Sequence, residues 1–220
     1  MHYTIKNLIA LKSEISDKIN ELNIDYYTPN IIAVSKTFHI DKINPLIDYG
    51  HIHFGENKVQ EAIEKWTKIK EINSKLNIHM IGKLQTNKVK HAVKVFDYIH
   101  SVDNIKLARK ISSEQKKINK DIKIFIQINI ANEEQKSGVK INDLNELHKE
   151  CLELNLNVVG LMCLPPIHNS PLSYFEKIAL KKKELNLQFL SLGMSNDYKE
   201  ALKVKSDFIR IGTKIFGERN

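Results

Sequence analysis

The stretch "IIAVSKTFHIDKINPLIDYGHIHF" (residues 31–54) governs how the rest of the chain is read. Residues 31–35 are apolar or β-branched, the composition of a strand covered on both faces. Residues 40–49 follow a helical pattern, and 51–54 returns to a short β-rich run. Strand, helix and strand in close succession form a parallel crossover unit.

The alternation continues outward from that unit. Strand-like runs recur at 77–81, 97–101, 122–129, 157–162, 188–191 and 207–211, and helical patterns at 57–73, 85–95, 103–118, 140–154, 171–185 and 196–204. With 31–35 and 51–54, eight strands enclose seven helices, which predicts an α/β fold, a closed (β/α)8 TIM barrel in preference to an open doubly wound sheet. Only "GTKIFGERN" (212–220) follows strand 8, so the eighth helix is missing there. At the other end of the chain, Leu8, Leu11, Ile15, Ile19 and Leu22 fall on one helical face. A docked helix over 3–23 is expected in the vacant place. The barrel consumes the chain, so residues 1–220 are read as a single domain, and "PPIHNSP" (165–171) as a loop.

The chain carries 34 Lys and Arg against 26 Asp and Glu, a net charge of +8. The lysines are interleaved with acids along helical stretches such as "KVQEAIEKWTKIKEINSK" (58–75), as on solvated helix faces. No nucleic-acid partner is therefore expected, although the charge favours anionic ligands. The two cysteines, Cys151 and Cys163, have no metal or redox spacing and read as buried hydrophobes in a reduced, cytoplasmic setting. The N-terminus lacks the apolar core of a signal peptide, and no membrane association is expected.

In a barrel, the loops at the carboxyl ends of the strands build the active face, and phosphate often sits after strands 7 and 8. "GMSND" (193–197) and "RIGT" (210–213) occupy those two positions. Gly193 and Gly212 would let backbone approach an anion while Ser195 and Thr213 donate to it; the alternative is ordinary turns with Ser195 as an N-cap. Lys36 stands at the end of strand 1, beside strand 8. Period-2 alternation places Ile32, Val34 and Lys36 on one face, and Phe208, Arg210 and Gly212 on one face of strand 8. If both faces point inward, Lys36 and Arg210 share one mouth. A neighbouring cation and partial desolvation would favour the free amine, which attacks aldehydes; otherwise Lys36 simply snorkels out. An amine, a phosphate seat and an arginine together suit pyridoxal 5'-phosphate, with Arg210 at the ring nitrogen.

Secondary candidates are weaker. "HIH" (51–53) lacks the further ligands of a zinc site and reads as structural. His79 and His100 read as core or rim histidines. Glu56 could orient Asn57 or Lys36, or start a helix; "QTNK" (85–88) reads as a helix start.

The motifs "AVSKTF" (33–38), "HFGENKVQE" (53–61), "HMIGKLQTNK" (79–88), "QINIANEEQKSG" (127–138), "GLMCLPP" (160–166), "LSLGMSNDY" (190–198) and "IRIGTKIFGER" (209–219) closely resemble the YggS/PROSC family of pyridoxal phosphate-binding homeostasis proteins. The resemblance implies the alanine-racemase N-terminal-domain type of barrel (fold type III among pyridoxal phosphate proteins), with the cofactor held as a Schiff base on Lys36. It also implies a phosphate seat at Ser195, Gly212 and Thr213, Arg210 at the ring nitrogen, and Asn57 beside the cofactor. Met194, next to Ser195, completes the expected cofactor-binding set. Two departures are Met80, where phenylalanine is usual, and Lys205, which replaces a common small residue.

The implied role is cofactor homeostasis without established turnover, in a monomer that serves pyridoxal phosphate-dependent apo-enzymes. A racemase of this fold needs a second acid/base, a tyrosine completed by a partner subunit and an added β-domain, and no tyrosine here has that context. An amino-acid racemase is the enzyme alternative, and a basic RNA-binding domain a third reading.

Overall fold

The computed structural model describes residues 1–133, 135–166 and 170–218. Eight parallel strands close on themselves in chain order: β1 (Asn30–Val34), β2 (His53–Glu56), β3 (Asn77–Met80), β4 (Tyr98–Val102), β5 (Lys123–Ile128), β6 (Asn157–Cys163), β7 (Phe189–Met194) and β8 (Phe208–Ile211). The helices between them are α2 (Ile40–Asp48), α3 (Val59–Ile72), α4 (Val89–Val95), α5 (Ile105–Lys117), α6 (Leu144–Glu153), α7 (Leu172–Glu184) and α8 (Tyr198–Lys203). The expected (β/α)8 barrel is the observed one.

The N-terminal helix α1 (Tyr3–Glu21) closes the helical ring, packing against α2 and α8. It buries Leu8, Leu11, Ile15 and Ile19, each worth about 1.5–3 kcal/mol of transfer free energy. As expected, α1 stands in for the eighth barrel helix; after β8 Thr213–Phe216 forms only a single turn, α9. Ile215 and Phe216 are buried, and the Asn7 side chain donates to the Ile215 carbonyl at 3.0 Å. That turn is stable because α1 covers it.

Strand 2 differs from expectation, running from His53 rather than from 51. Its ladder with β1 pairs Ala33 with Phe54 and Val34 with Gly55, leaving His51 and Ile52 as the approach. "QTNK" does start a helix: Thr86–Lys88 is a 3-10 turn leading into α4. In the stretch "PPIHNSP", residues 167–169 lie outside the described residues.

Two apolar compartments hold the fold. The larger lies between strands and helices; the smaller fills the barrel with Ile32, Tyr98, Phe125, Val159, Met162 and Phe208. Ile32 and Phe208 therefore face inward, as the alternation predicts, and Ile32 pairs with Arg210 in the ladder between β1 and β8. Lys205, the unusual residue before β8, has φ of 55°, the left-handed region where glycine is at ease.

Candidate functional site

β1 ends at Val34, so Lys36 sits in a turn just beyond the strand. That turn is built by α3. Lys65 donates to the Ser35 carbonyl at 2.8 Å, the Thr37 amide donates to the Glu61 carboxylate, and the Phe38 amide returns to the Ser35 carbonyl at 3.2 Å. Thr37 has φ of 69°, rare for a β-branched residue, and the Glu61 bond holds it there. Burial pushes the Glu61 carboxyl up, but the bonds from Lys65 and Thr37 outweigh it and keep the acid below its usual range. Lys36 is thus aimed from a constrained turn, half-buried.

Glu56 does not start α3, whose cap position is Lys58. Its Oε1 accepts from the Ser35 hydroxyl at 2.7 Å, Trp66 Nε1 at 3.1 Å and Lys65 at 3.3 Å, tying β1 and β2 to α3. Burial raises its pKa, against the pull of Lys65, Ser35 and Trp66. Asn57 follows at the barrel mouth. A Cβ on Gly82 would fall 2.6 Å from the Asn57 carbonyl oxygen, so only glycine lets the exit of β3 lie against it.

At the ends of β7 and β8, Gly193 has φ of 88°, and a Cβ there would lie 2.8 Å from Tyr198 Cα. The turn it opens is closed by Asp197, whose Oδ1 accepts from the Met194 amide at 2.5 Å. Burial pushes the Asp197 carboxyl up, opposed by the Met194 amide and Arg210. Ser195 is not a helix cap, since Asp197 holds that position for α8 and Gly212 holds it for α9. Instead the Thr213 hydroxyl donates to Ser195 Oγ at 3.2 Å, bringing the two loops together.

Arg210 is 4 % exposed. Its Nη1 donates to the carbonyl and the hydroxyl of Ser191, at 2.5 and 2.7 Å, and its Nη2 to the Cys163 carbonyl at 3.1 Å. Of a guanidinium's five N–H groups, two remain outside these bonds.

A cavity of about 540 Å³ at the carboxyl end of the barrel is lined by Lys36, Asn57, Met194, Ser195, Arg210, Gly212 and Thr213, the expected cofactor-binding set, while Gly193 and Glu56 do not line it. Asp197, Ile81 and Pro165 also line it and were not singled out. Asp197 stood within the quoted "GMSND", but only the turn geometry shows its work. A larger cavity, about 930 Å³, lies between α1 and the amino-terminal end of the barrel, the face that serves stability in such folds. Among the described residues no cluster of His, Cys, Asp and Glu could hold a metal ion, and no helix is long and apolar enough to cross a membrane.

Residues 13–220 match the model of the alanine racemase N-terminal domain. The pyridoxal phosphate homeostasis protein of Aquifex aeolicus is 37 % identical over 199 residues, 86 % of each chain. That of Escherichia coli strain K12 is 34 % identical over 224 residues, 97 % of this chain and 96 % of the relative. PipY of Synechococcus elongatus PCC7942, solved with PLP bound, superposes with a TM-score of 0.80 at 31 % identity, over 92 % of this chain and 100 % of its own. This chain belongs to the family of pyridoxal phosphate homeostasis proteins, built on the alanine racemase N-terminal domain.

Proposed function

We propose that this protein binds pyridoxal 5'-phosphate and serves its homeostasis, holding the cofactor on Lys36 rather than turning over an amino acid. The observation that carries the reading is the convergence of an amine, two facing hydroxyls and a buried guanidinium on one cavity of about 540 Å³. The residues fit the group: Lys36 would carry the covalent link, Ser195 and Thr213 the phosphate with backbone at Gly212, and Arg210 the ring nitrogen. Asn57 and Met194 would flank it. When bound, pyridoxal phosphate supplies an aldehyde that condenses with an amine and releases water.

What supports a homeostasis role over turnover is the likeness along most of the chain to relatives named pyridoxal phosphate homeostasis proteins. We further propose a cytoplasmic monomer that passes the cofactor to apo-enzymes. Both cysteines are buried and free, and burial pushes each thiol up to about 12, which suits a reducing compartment.

The visible spectrum of the protein mixed with pyridoxal phosphate tests the reading, compared with Lys36→Ala and followed by hydride reduction and peptide mapping. A visible band lost in the variant and a label on Lys36 are expected. No band, or equal labelling of the variant, overturns it. Racemisation of alanine or serine by the loaded protein would overturn the non-catalytic role alone.

A further inference from the structure

Three histidines on adjacent strands, His53 half-buried and His79 and His100 fully buried, touch in sequence. His53 Nδ1 lies 3.0 Å from His79 Nε2, His79 Nδ1 lies 2.9 Å from His100 Nε2, and His100 Nδ1 lies 2.9 Å from Ser191 Oγ. Ser191 Oγ in turn accepts from Arg210 at 2.7 Å. The register explains the line. His79 pairs with Gly55, two residues past His53; His100 stands two past Tyr98, the partner of His79; Arg210 stands two past Phe208, the partner of Ser191. Each step climbs toward the carboxyl end, so the line rises through the barrel to the floor of the cavity.

The direction of the bonds follows from Ser191. Arginine can only donate, so a lone pair of Ser191 Oγ receives it, and the serine proton needs an acceptor. His100 Nδ1 is the acceptor within reach. A neutral His100 then carries its proton on Nε2 and donates to His79 Nδ1; His79 Nε2–H donates to His53 Nδ1; and His53 carries its own proton on Nε2, at the end of the line where the residue borders the amino-terminal cavity. The reversed order would strand the serine proton in the core, costing about 1–3 kcal/mol.

The surroundings keep the rings neutral. His79 and His100 are fully buried, stacked on Tyr98 and Phe125 with ring centroids 4.3 and 4.2 Å apart. The charged groups acting on the three rings are cations, Lys123 from β5 and Arg210 from β8, with neutral His51 beside them. Lys123 itself is bonded to the Tyr98 hydroxyl at 3.0 Å. Arg210 has oxygens of Ser191 and Cys163 as its hydrogen-bond partners, and the groups acting on it from farther away are the Cys163 thiol and Asp197. A buried cation so placed needs electron density from dipoles.

We propose that His53, His79, His100 and Ser191 are positioning residues for Arg210: an oriented string of Nε2–H imidazoles whose negative end, delivered through Ser191, stabilises the guanidinium and fixes the N–H it presents to the cofactor's ring nitrogen. Hydrogen bonds in such a chain polarise one another, so a break at any link reaches Arg210. This inference rests on the cofactor reading above.

The test compares pyridoxal phosphate with its carbocyclic analogue, in which C–H replaces the ring nitrogen. Affinities are measured for the wild-type protein, Ser191→Ala, His100→Phe and His79→Phe. Pyridoxal phosphate is expected to bind about tenfold more weakly to Ser191→Ala and His100→Phe, and less weakened to His79→Phe, while the analogue is held as before. His100→Asn, which keeps an acceptor for Ser191, is expected to recover part of the loss. Equal losses for both aldehydes would mean a purely structural role and overturn the proposal. Side-chain nitrogen NMR of the wild-type protein needs no variant: bare Nδ1 and protonated Nε2 at His53, His79 and His100 are expected at neutral pH. An imidazolium or an Nδ1–H form at any of the three overturns the orientation. Wild-type protein that binds neither aldehyde overturns the cofactor reading and this one with it.

Discussion

The hydroxyl oxygens of Ser195 and Thr213 stand 3.2 Å apart, although they follow different strands and 18 residues separate them in the chain. Neither is spent on capping a helix, and both open on the cavity that Lys36 lines. Two hydroxyls held in contact by the ends of β7 and β8 form one donor pair. If that pair meets the phosphate, Ser195→Ala and Thr213→Val each weaken pyridoxal phosphate binding by about 10- to 100-fold, the worth of a hydrogen bond to a charged group. Unphosphorylated pyridoxal should bind both variants as it binds the parent. The double variant should lose less than the two single losses combined, because the hydroxyls touch. Equal losses with and without phosphate would remove the pair from that role.

The turn bearing Lys36 depends on Glu61, which accepts from the Thr37 amide and from Lys65 at 2.6 Å. Glu61→Ala frees Thr37 to leave its left-handed conformation. We expect about 1–2 kcal/mol of lost stability and slower hydride-trapped labelling of Lys36. Labelling at the parental rate would show that the turn is held by the chain alone.

Lys205 spends energy on its backbone. In the left-handed region an L-residue costs about 1–2 kcal/mol, and glycine recovers most of that after its own entropy cost. Lys205→Gly should raise the urea midpoint by the equivalent of about 0.5–1 kcal/mol with an unchanged denaturant slope. A lower midpoint would show that the lysine side chain contributes more than its conformation costs.

Stability should fall on mild acidification. Burial pushes His51 and His53 down to about 4, and His79 and His100 well below the ordinary histidine range. The folded rings stay neutral while the unfolded chain takes protons below about pH 6.5, so unfolding absorbs protons and stability decreases as pH falls from there toward 4. Each histidine contributes a slope of about 1.4 kcal/mol per pH unit within that window. Urea titrations across it should show net proton uptake on unfolding from these four rings and from His148, which burial also lowers, offset in part by the raised carboxyls of Glu56, Asp197 and Asp207; a slope that His79→Phe and His100→Phe leave unchanged would mean that those rings are charged in the fold.

Helix α1 is expected to act as part of the barrel's own core, with residues 1–220 unfolding as one domain. Leu11 is 2 % exposed within the large apolar cluster, and Leu11→Ala should cost about 2–5 kcal/mol. Fluorescence of Trp66, on α3, should report the same midpoint as circular dichroism. A separate early transition in the variant would make α1 an independent unit.

Much of the fold was legible because its signals are local. The run at 31–35, the helical spacing of Leu8, Leu11, Ile15 and Ile19, and the alternation of Phe208 with Arg210 depend only on neighbours in the chain, and the barrel follows from their order. The errors fell where another element intervenes. β2 starts at His53 because its ladder with β1 is centred on Phe54 and Gly55. Ser195 read equally well as a helix cap, since a serine before a helical pattern looks the same in either role.

The sequence by itself determined the strand order, the inward face of β8 and the positions of Lys36, Ser195, Arg210 and Thr213 at the carboxyl ends of their strands, because period and order are properties of one chain segment at a time. Tertiary structure decided which of those residues meet. The contact between Ser195 and Thr213, the hold of Glu61 on the Lys36 turn and the climb from His53 through His79 and His100 to Ser191 and Arg210 arise from register and closure. Stagger between strands is set by the packing of the whole barrel, so no segment encodes it alone.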